Sequence, residues 1–398
     1  MGRNSGDQSL LVALDEASLL ESAISTAELQ DFGGDDWLVP FRVFLSSLND
    51  EGNLHTTGKL LARSELVRTL INRLYLIDTW QRDPAIESRS VSAPTLVTGT
   101  GRSGTSLLLE LLNCDPHMRA PLTWEMQYPE SVHDQARGPL ALQDAHRDAT
   151  FWNVVTPEYQ SMHENGGDHP NECIFMTKPT FVSDHWMGTF PTPSYGGWLA
   201  RADRKESFRF HKKFLQYLQG SDERVNWLLK APSHLSQLIA FFAVYPDAHV
   251  IVTHRDPLRV LGSITDLMAT LQWQKTDDVD YQRIVTTVAT GTALVFELVD
   301  RWRNDGTLPA SQVHDVRYCD LVADPISAVR TVYRDLDREL TPGALTAMKR
   351  YVAQRNATRS SQPSHDYSFA ETGLDYDETR HRFSRYMQQF DLPLEVIQ

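Results

Sequence analysis

The period of the apolar positions changes along the chain, and that change divides it. In LARSELVRTLINRLYLIDTW (61–80), Leu61, Leu66, Leu70, Leu74 and Ile77 recur at helical spacing. Residues 1–92 therefore read as a helical region packing on the core. RDPAIESRSVSAP (82–94) breaks the pattern with two prolines and a run of loop residues. Beyond it, TLVTG (95–99), NWLLKA (226–231) and HVIVTH (249–254) are apolar without alternation, as strands covered on both faces are. QVHDVRY (312–318) reads as a fourth strand. Helical stretches succeed each: SLLLELL, SHLSQLIAFFAVY, LRVLGSITDLMATLQW and DPISAVRTVYRDL. This alternation predicts an α/β domain over 93–398, a P-loop-like parallel sheet flanked by helices. Residues 115–224 lie between the first two strands and have weak periodicity with many aromatics, prolines and glycines. They are expected to form an insertion of helices and loops, serving as a pocket or lid.

Open parallel sheets bind ligands beyond the carboxyl ends of their strands. The first strand runs into GTGRSGTS (99–106). Gly99, Gly101 and Gly104 spell the dinucleotide pattern G-x-G-x-x-G. Gly99, Gly104 and Ser106 also fit the P-loop pattern, except that Thr105 stands where its lysine belongs. A glycine-rich turn into a helix gathers backbone N–H groups at one spot, so phosphate is the expected guest. A dinucleotide fold also wants an acid ending a second strand about 20 residues on. That distance falls in NCDPHMRAPLTWEM, which has no credible strand. A metal-dependent kinase or NTPase needs the lysine and a carboxylate for Mg²⁺. Thr105 removes the first, and Asp256, beside Arg255, is a poor candidate for the second.

Composition narrows the partners. The 398 residues carry a net charge of −14, which argues against nucleic acid or an anionic membrane surface. Cys114, Cys173 and Cys319 are odd in number and widely spaced, so neither a disulfide framework nor a zinc site is suggested. The start, MGRNSGDQSLL, lacks a signal-peptide core, and no apolar run reaches membrane-spanning length; a cytoplasmic location is the expectation.

The loop also resembles a known family. GRSGTS is similar to the 5′-phosphosulfate loop of the PAPS-dependent sulfotransferases, in their tyrosylprotein-sulfotransferase-like bacterial branch, which carries arginine in the loop. NWLLKAPSHL resembles that family's W-x-x-K-x-P-x-H-L segment, HRDPLRVLGS its 3′-phosphate segment, and VRYCDLVADP and YSFAETGLD further segments. The resemblance implies that Arg102, Ser103, Gly104, Thr105 and Ser106 hold the phosphosulfate and that Arg255 and Ser263 hold a 3′-phosphate. Lys230 would stabilise charge on the departing phosphate, and Arg102 charge near the sulfuryl group.

Attack by a hydroxyl needs a base. The resemblance implies a glutamate shortly after the loop helix for this role, and Glu125 has the corresponding position, with Trp124 and Met126 expected to make its surroundings apolar; His163, His169 and His185 are the rivals, since the family's cytosolic branch uses a histidine. The role of Arg259 is open. Aromatics in FVSDHWMGTFPTPSYGGW (181–198) line an acceptor pocket or are ordinary core. The expected reaction moves a sulfuryl group from PAPS to a hydroxyl of a small-molecule or lipid acceptor, without a metal, giving a sulfate ester and 3′,5′-ADP. The alternatives are the kinase or NTPase and a relative that binds nucleotide without catalysis.

Overall fold

The computed structural model describes residues 12–162, 166–222, 225–359 and 368–396; the start read for a leader (1–11), His163 and Tyr367 lie outside them. The chain opens with three helices, α1 (Glu16–Ala27), α2 (Leu38–Glu51) and α3 (Thr56–Arg82). Asp15 caps α1 by accepting the Ser18 N–H at 2.9 Å. The periodic positions of α3 behave as the spacing predicts: Leu66, Leu70 and Leu74 are fully buried.

After β1 (Thr95–Gly99) and α4 (Thr105–Leu112) comes β2 (Met118–Arg119), then a long excursion of helices: α5 (Thr123–Gln127), α6 (Gly138–Val155), α7 (Pro157–Met162), α8 (Ile174–Thr177), α9 (Asp184–Thr189), α10 (Pro193–Leu199) and α11 (Lys205–Gln219). The chain then returns through β3 (Asn226–Lys230), α12 (Leu238–Val244), β4 (His249–His254), α13 (Pro257–Trp273), α14 (Tyr281–Asn304), β5 (Val313–Arg317) and α15 to α18 (Tyr318–Ala323, Pro325–Asp335, Pro342–Arg359, Tyr376–Gln389). No described helix is long and apolar enough to cross a membrane.

The five strands form one parallel sheet in the order β2-β3-β1-β4-β5. β1 is therefore central, and all five of its residues are buried. Val97 lies beside Lys230 on one side, and Gly99 beside Thr253 on the other. The segments that leave β1, β3, β4 and β5 thus emerge together at one end of the sheet. The chain leaves β1 toward β2 and later crosses to β4, so the order reverses at β1, where such sheets place their ligands.

The aromatics of 181–198 are core. Phe181, Trp186, Phe190 and Tyr195 have no accessible surface and pack with Phe41 and Phe44 of α2. The N-terminal helices and this part of the insertion thus share one apolar cluster. Neither segment alone presents a closed apolar face, which is why periodicity in 181–199 is weak: its burial is decided by α2 and α3. A tight crossing fixes α3 against the end of α13, where a Cβ on Gly58 would lie 1.9 Å from the Lys275 carbonyl oxygen.

Candidate active site

The loop after β1 turns sharply. Gly104 has φ 93°, and a Cβ there would meet the Tyr318 ring at 2.8 Å, so both conformation and space require glycine. Gly104 is also the residue before α4, and no side chain caps that helix. Its first-turn N–H groups are therefore left for a ligand, in the field of the helix N-terminus. Arg102 holds φ 66°, a left-handed conformation that a residue with a Cβ adopts at a cost of about 1–2 kcal/mol. Thr105 is buried and Ser106 half-buried in the first turn of α4.

Ser103 is placed otherwise than the resemblance implies. Its hydroxyl donates to the Thr100 carbonyl at 2.5 Å and lies 2.6 Å from the Thr253 hydroxyl, and the residue has no exposed surface. Its side chain fastens the loop to β4 and is not directed at a ligand.

Arg102 reaches out of the loop in two directions. Nε donates to Ser263 Oγ at 2.9 Å and Nη1 to the Met162 carbonyl at 2.5 Å. The residues expected at opposite ends of a bisphosphate are thus in direct contact, and α7 is tied over the loop. Ser263 itself is buried within α13.

Arg255 comes directly after β4. Nη1 donates to the Arg102 carbonyl at 2.8 Å, and the guanidinium lies 4.0 Å from the Tyr318 ring centroid. Its Nε and Nη2 donate to the carboxylate of Glu395, the shortest contact being 2.6 Å. Neighbouring Asp256 caps α13 through the Leu258 N–H and receives the N–H groups of Glu395 and Val396. Both of its oxygens serve backbone donors, which fits a latch for the C-terminal segment better than a Mg²⁺ ligand.

Lys230 ends β3 and is 3% exposed; Nζ donates to Glu172 Oε1 at 2.6 Å. Glu172 is held there because the Cys173 N–H bonds the Lys230 carbonyl at 2.8 Å. No sequence pattern pointed to Glu172. It lies 58 residues before Lys230, in the aperiodic insertion, and only the tertiary fold brings it to the strand end.

Glu125 sits in different surroundings from those expected. It is buried, but Oε1 accepts from Arg119 at 2.6 Å and Oε2 from the Leu122 N–H at 2.9 Å. The apolar setting inferred from Trp124 and Met126 is replaced by an ion pair and a helix-capping contact. Arg119 stacks on Trp227 and bonds the Leu218 carbonyl, so the contacts point to the start of β3. Lys230 is three residues farther along that strand, a rise of about 10 Å.

Of the rival histidines, His169 lies 3.3 Å from Asp168. His185 is buried and bonded to Glu65 at 2.6 Å. Burial and the Lys178 charge lower the pKa of His185. Burial opposes ionisation of Glu65, yet Lys178 and His185 hold its carboxyl well below the usual range. His234, from the P-x-H-L segment, is 2% exposed, and neither ring nitrogen has a hydrogen-bond partner among the described residues. Burial, then the Arg204 charge, lowers its pKa to about 3.

Comparison with known proteins agrees with this architecture. A model of the sulfotransferase family matches residues 94–342. The sulfotransferase STF1 of Mycobacterium tuberculosis superposes with a TM-score of 0.80 at 28% identity, over 93% of this chain and 98% of that one. The sulfotransferase STF9 of Mycobacterium avium gives 0.84 at 24% identity, over 96% and 98%. A search of curated proteins finds no match. With the family model spanning more than half of its 398 residues, and with a full-length fold shared with STF1, this chain belongs to the sulfotransferase family.

Proposed function

We propose that the protein transfers a sulfuryl group from PAPS to the hydroxyl of a small-molecule or lipid acceptor. The sulfur–oxygen bond to the donor phosphate breaks as one to the acceptor oxygen forms. The acceptor proton passes to a carboxylate, and 3′,5′-ADP leaves. The observation that carries the reading is the meeting of an uncapped helix N-terminus, Arg102, Ser263 and Arg255 at the carboxyl end of the central strands. N–H groups of α4 suit a 5′-phosphosulfate. Arg255, 10% exposed in its side chain, suits a 3′-phosphate as a planar guanidinium does. A sulfuryl group carries less charge than a phosphoryl group, so loop donors and two cations serve in place of the P-loop lysine. In this reading Lys230 stabilises the departing phosphate oxygen.

For the base, the contacts favour Glu172 over Glu125, because Glu172 lies against Lys230 at the strand end while both Glu125 oxygens are engaged elsewhere. Labelled-sulfate transfer from PAPS to a broad hydroxyl panel tests the proposal. Acceptor-dependent sulfate ester and 3′,5′-ADP are expected with EDTA present. Binding of 3′,5′-ADP with no transfer to any acceptor would favour the inactive relative. Turnover of ATP–Mg²⁺ instead would favour the kinase.

A further inference from the structure

Beside Arg102 the structure holds a cavity of 680 Å³, within the range of small-molecule sites. Met162 lines it, and the carbonyl of Met162 receives Nη1 of Arg102. The far wall is α13. Ser263 receives Nε of Arg102, and farther along the same stripe of that helix stand Asp266, Thr270 and Trp273, with Gln274 just past its end, all lining residues. At about 1.5 Å per residue, this wall runs from about 5 Å to about 16 Å beyond Ser263. The cavity therefore begins less than one helical turn from the Arg102–Ser263 contact and shares Met162 with it.

Its lining combines one histidine with polar and acidic groups. Glu158, Asp266 and Glu371 line it, with no lysine or arginine among the described lining residues. Asp266 accepts from the Tyr281 hydroxyl at 2.7 Å. Burial, the Asp266 contact and the Asp266 and Glu371 charges raise the Tyr281 pKa, so both carboxylates act on the same wall. Gln274 is 4% exposed, and neither its Oε1 nor its Nε2 has a hydrogen-bond partner among the described residues. A buried amide facing a cavity without a partner is destabilising unless a guest satisfies it. Trp273 is 55% exposed and Val155 39%, forming an apolar rim.

We infer that this cavity is the acceptor site and that it selects a hydroxyl compound bearing an ammonium group on an apolar body. The inference rests on the proposed sulfotransfer. The carboxylates and the Gln274 carbonyl receive the ammonium. Trp273 covers the apolar body and offers a cation–π face. The hydroxyl is left toward Arg102. This narrows the small-molecule or lipid hydroxyl acceptor expected from the sequence to one that carries a positive charge.

Three phenols of matched length test it: 4-(4-aminobutyl)phenol, 4-pentylphenol and 5-(4-hydroxyphenyl)pentanoate. Each is titrated calorimetrically into the protein with and without saturating 3′,5′-ADP. The ammonium compound is expected to bind at least 10-fold tighter than the neutral one, and the carboxylate weakest. Asp266→Asn and Glu371→Gln should each weaken the ammonium compound 3-fold or more and leave 4-pentylphenol within 2-fold. Equal affinities, absence of ammonium binding, or indifference to both substitutions would overturn the inference. Failure of 3′,5′-ADP to bind would instead sink the proposed donor, while the series without nucleotide still reads the cavity.

Discussion

Replacing Arg102 by glycine and, separately, by alanine separates what this residue costs the fold from what it does. Both variants delete the same guanidinium and the same hydrogen bonds to Ser263 and Met162. They differ in backbone alone. At φ 66° a Cβ costs about 1–2 kcal/mol, which glycine recovers. Glycine also loosens the unfolded chain, at a cost of about 0.4–1 kcal/mol. The glycine variant should therefore be the more stable of the two by about 0.5–1 kcal/mol. Relative to wild type, two hydrogen bonds of about 1 kcal/mol each are lost. Alanine should fall by about 2 kcal/mol and glycine by about 1 kcal/mol, read by urea unfolding. Affinity for 3′,5′-ADP should fall in both by the same factor, 10-fold or more, since a hydrogen bond from a charged donor contributes about 1.5–3 kcal/mol. A glycine variant less stable than the alanine one would refute the strain argument. Wild-type nucleotide affinity in either would refute a ligand role for Arg102.

Glu125→Gln should cost about 1–2 kcal/mol of stability, because Arg119 is 34% exposed and only partly desolvated, with turnover of the folded protein within 3-fold. Glu172→Gln should lower kcat about 10²–10⁴-fold with 3′,5′-ADP affinity kept; the opposite pattern in the two variants would return Glu125 as the base. Glu395→Gln should release Arg255 and raise 3′,5′-ADP affinity about 3–10-fold, a gain near 1 kcal/mol, while leaving 5′-AMP unchanged; weaker binding by calorimetry would contradict the latch. His234 stays neutral in the fold to about pH 3 but protonates near pH 6.5 when unfolded. Its contribution is thus fully present above pH 6.5 and falls as pH drops toward 3, by about 2 kcal/mol at pH 5. His234→Phe should flatten the stability profile over that window, and an unchanged slope would argue against it.

The strands were legible because parallel strands buried on both faces must be continuous apolar runs, and β1 and β4 fall on the predicted residues. β2 was not, since two residues at a sheet edge leave no pattern. The glycine loop announced itself through residues with no alternative at those backbone angles. What sequence could not supply is which charges meet. Glu172 reaches Lys230, and Glu395 reaches Arg255, across 58 and 140 residues. The local neighbours of Glu125 misled because Arg119 comes from β2, the strand that the pattern hid. Whether the aromatics of 181–198 line a pocket or form core could not be read locally, because the helices that cover them, α2 and α3, come from the distant N-terminal region, as in the contact between Phe181 and Phe41.

The proposed chemistry depends on the loop and Arg255 gripping the two ends of a 3′-phosphorylated adenosine 5′-nucleotide. The decisive measurement is calorimetric titration of 3′,5′-ADP against 5′-AMP and ATP–Mg²⁺, in wild type and in Arg255→Ala. We expect 3′,5′-ADP to bind at least 10-fold tighter than 5′-AMP, and that margin to vanish in Arg255→Ala. Equal binding of the two nucleotides in wild type, or tighter binding of ATP–Mg²⁺, would overturn the two-ended grip.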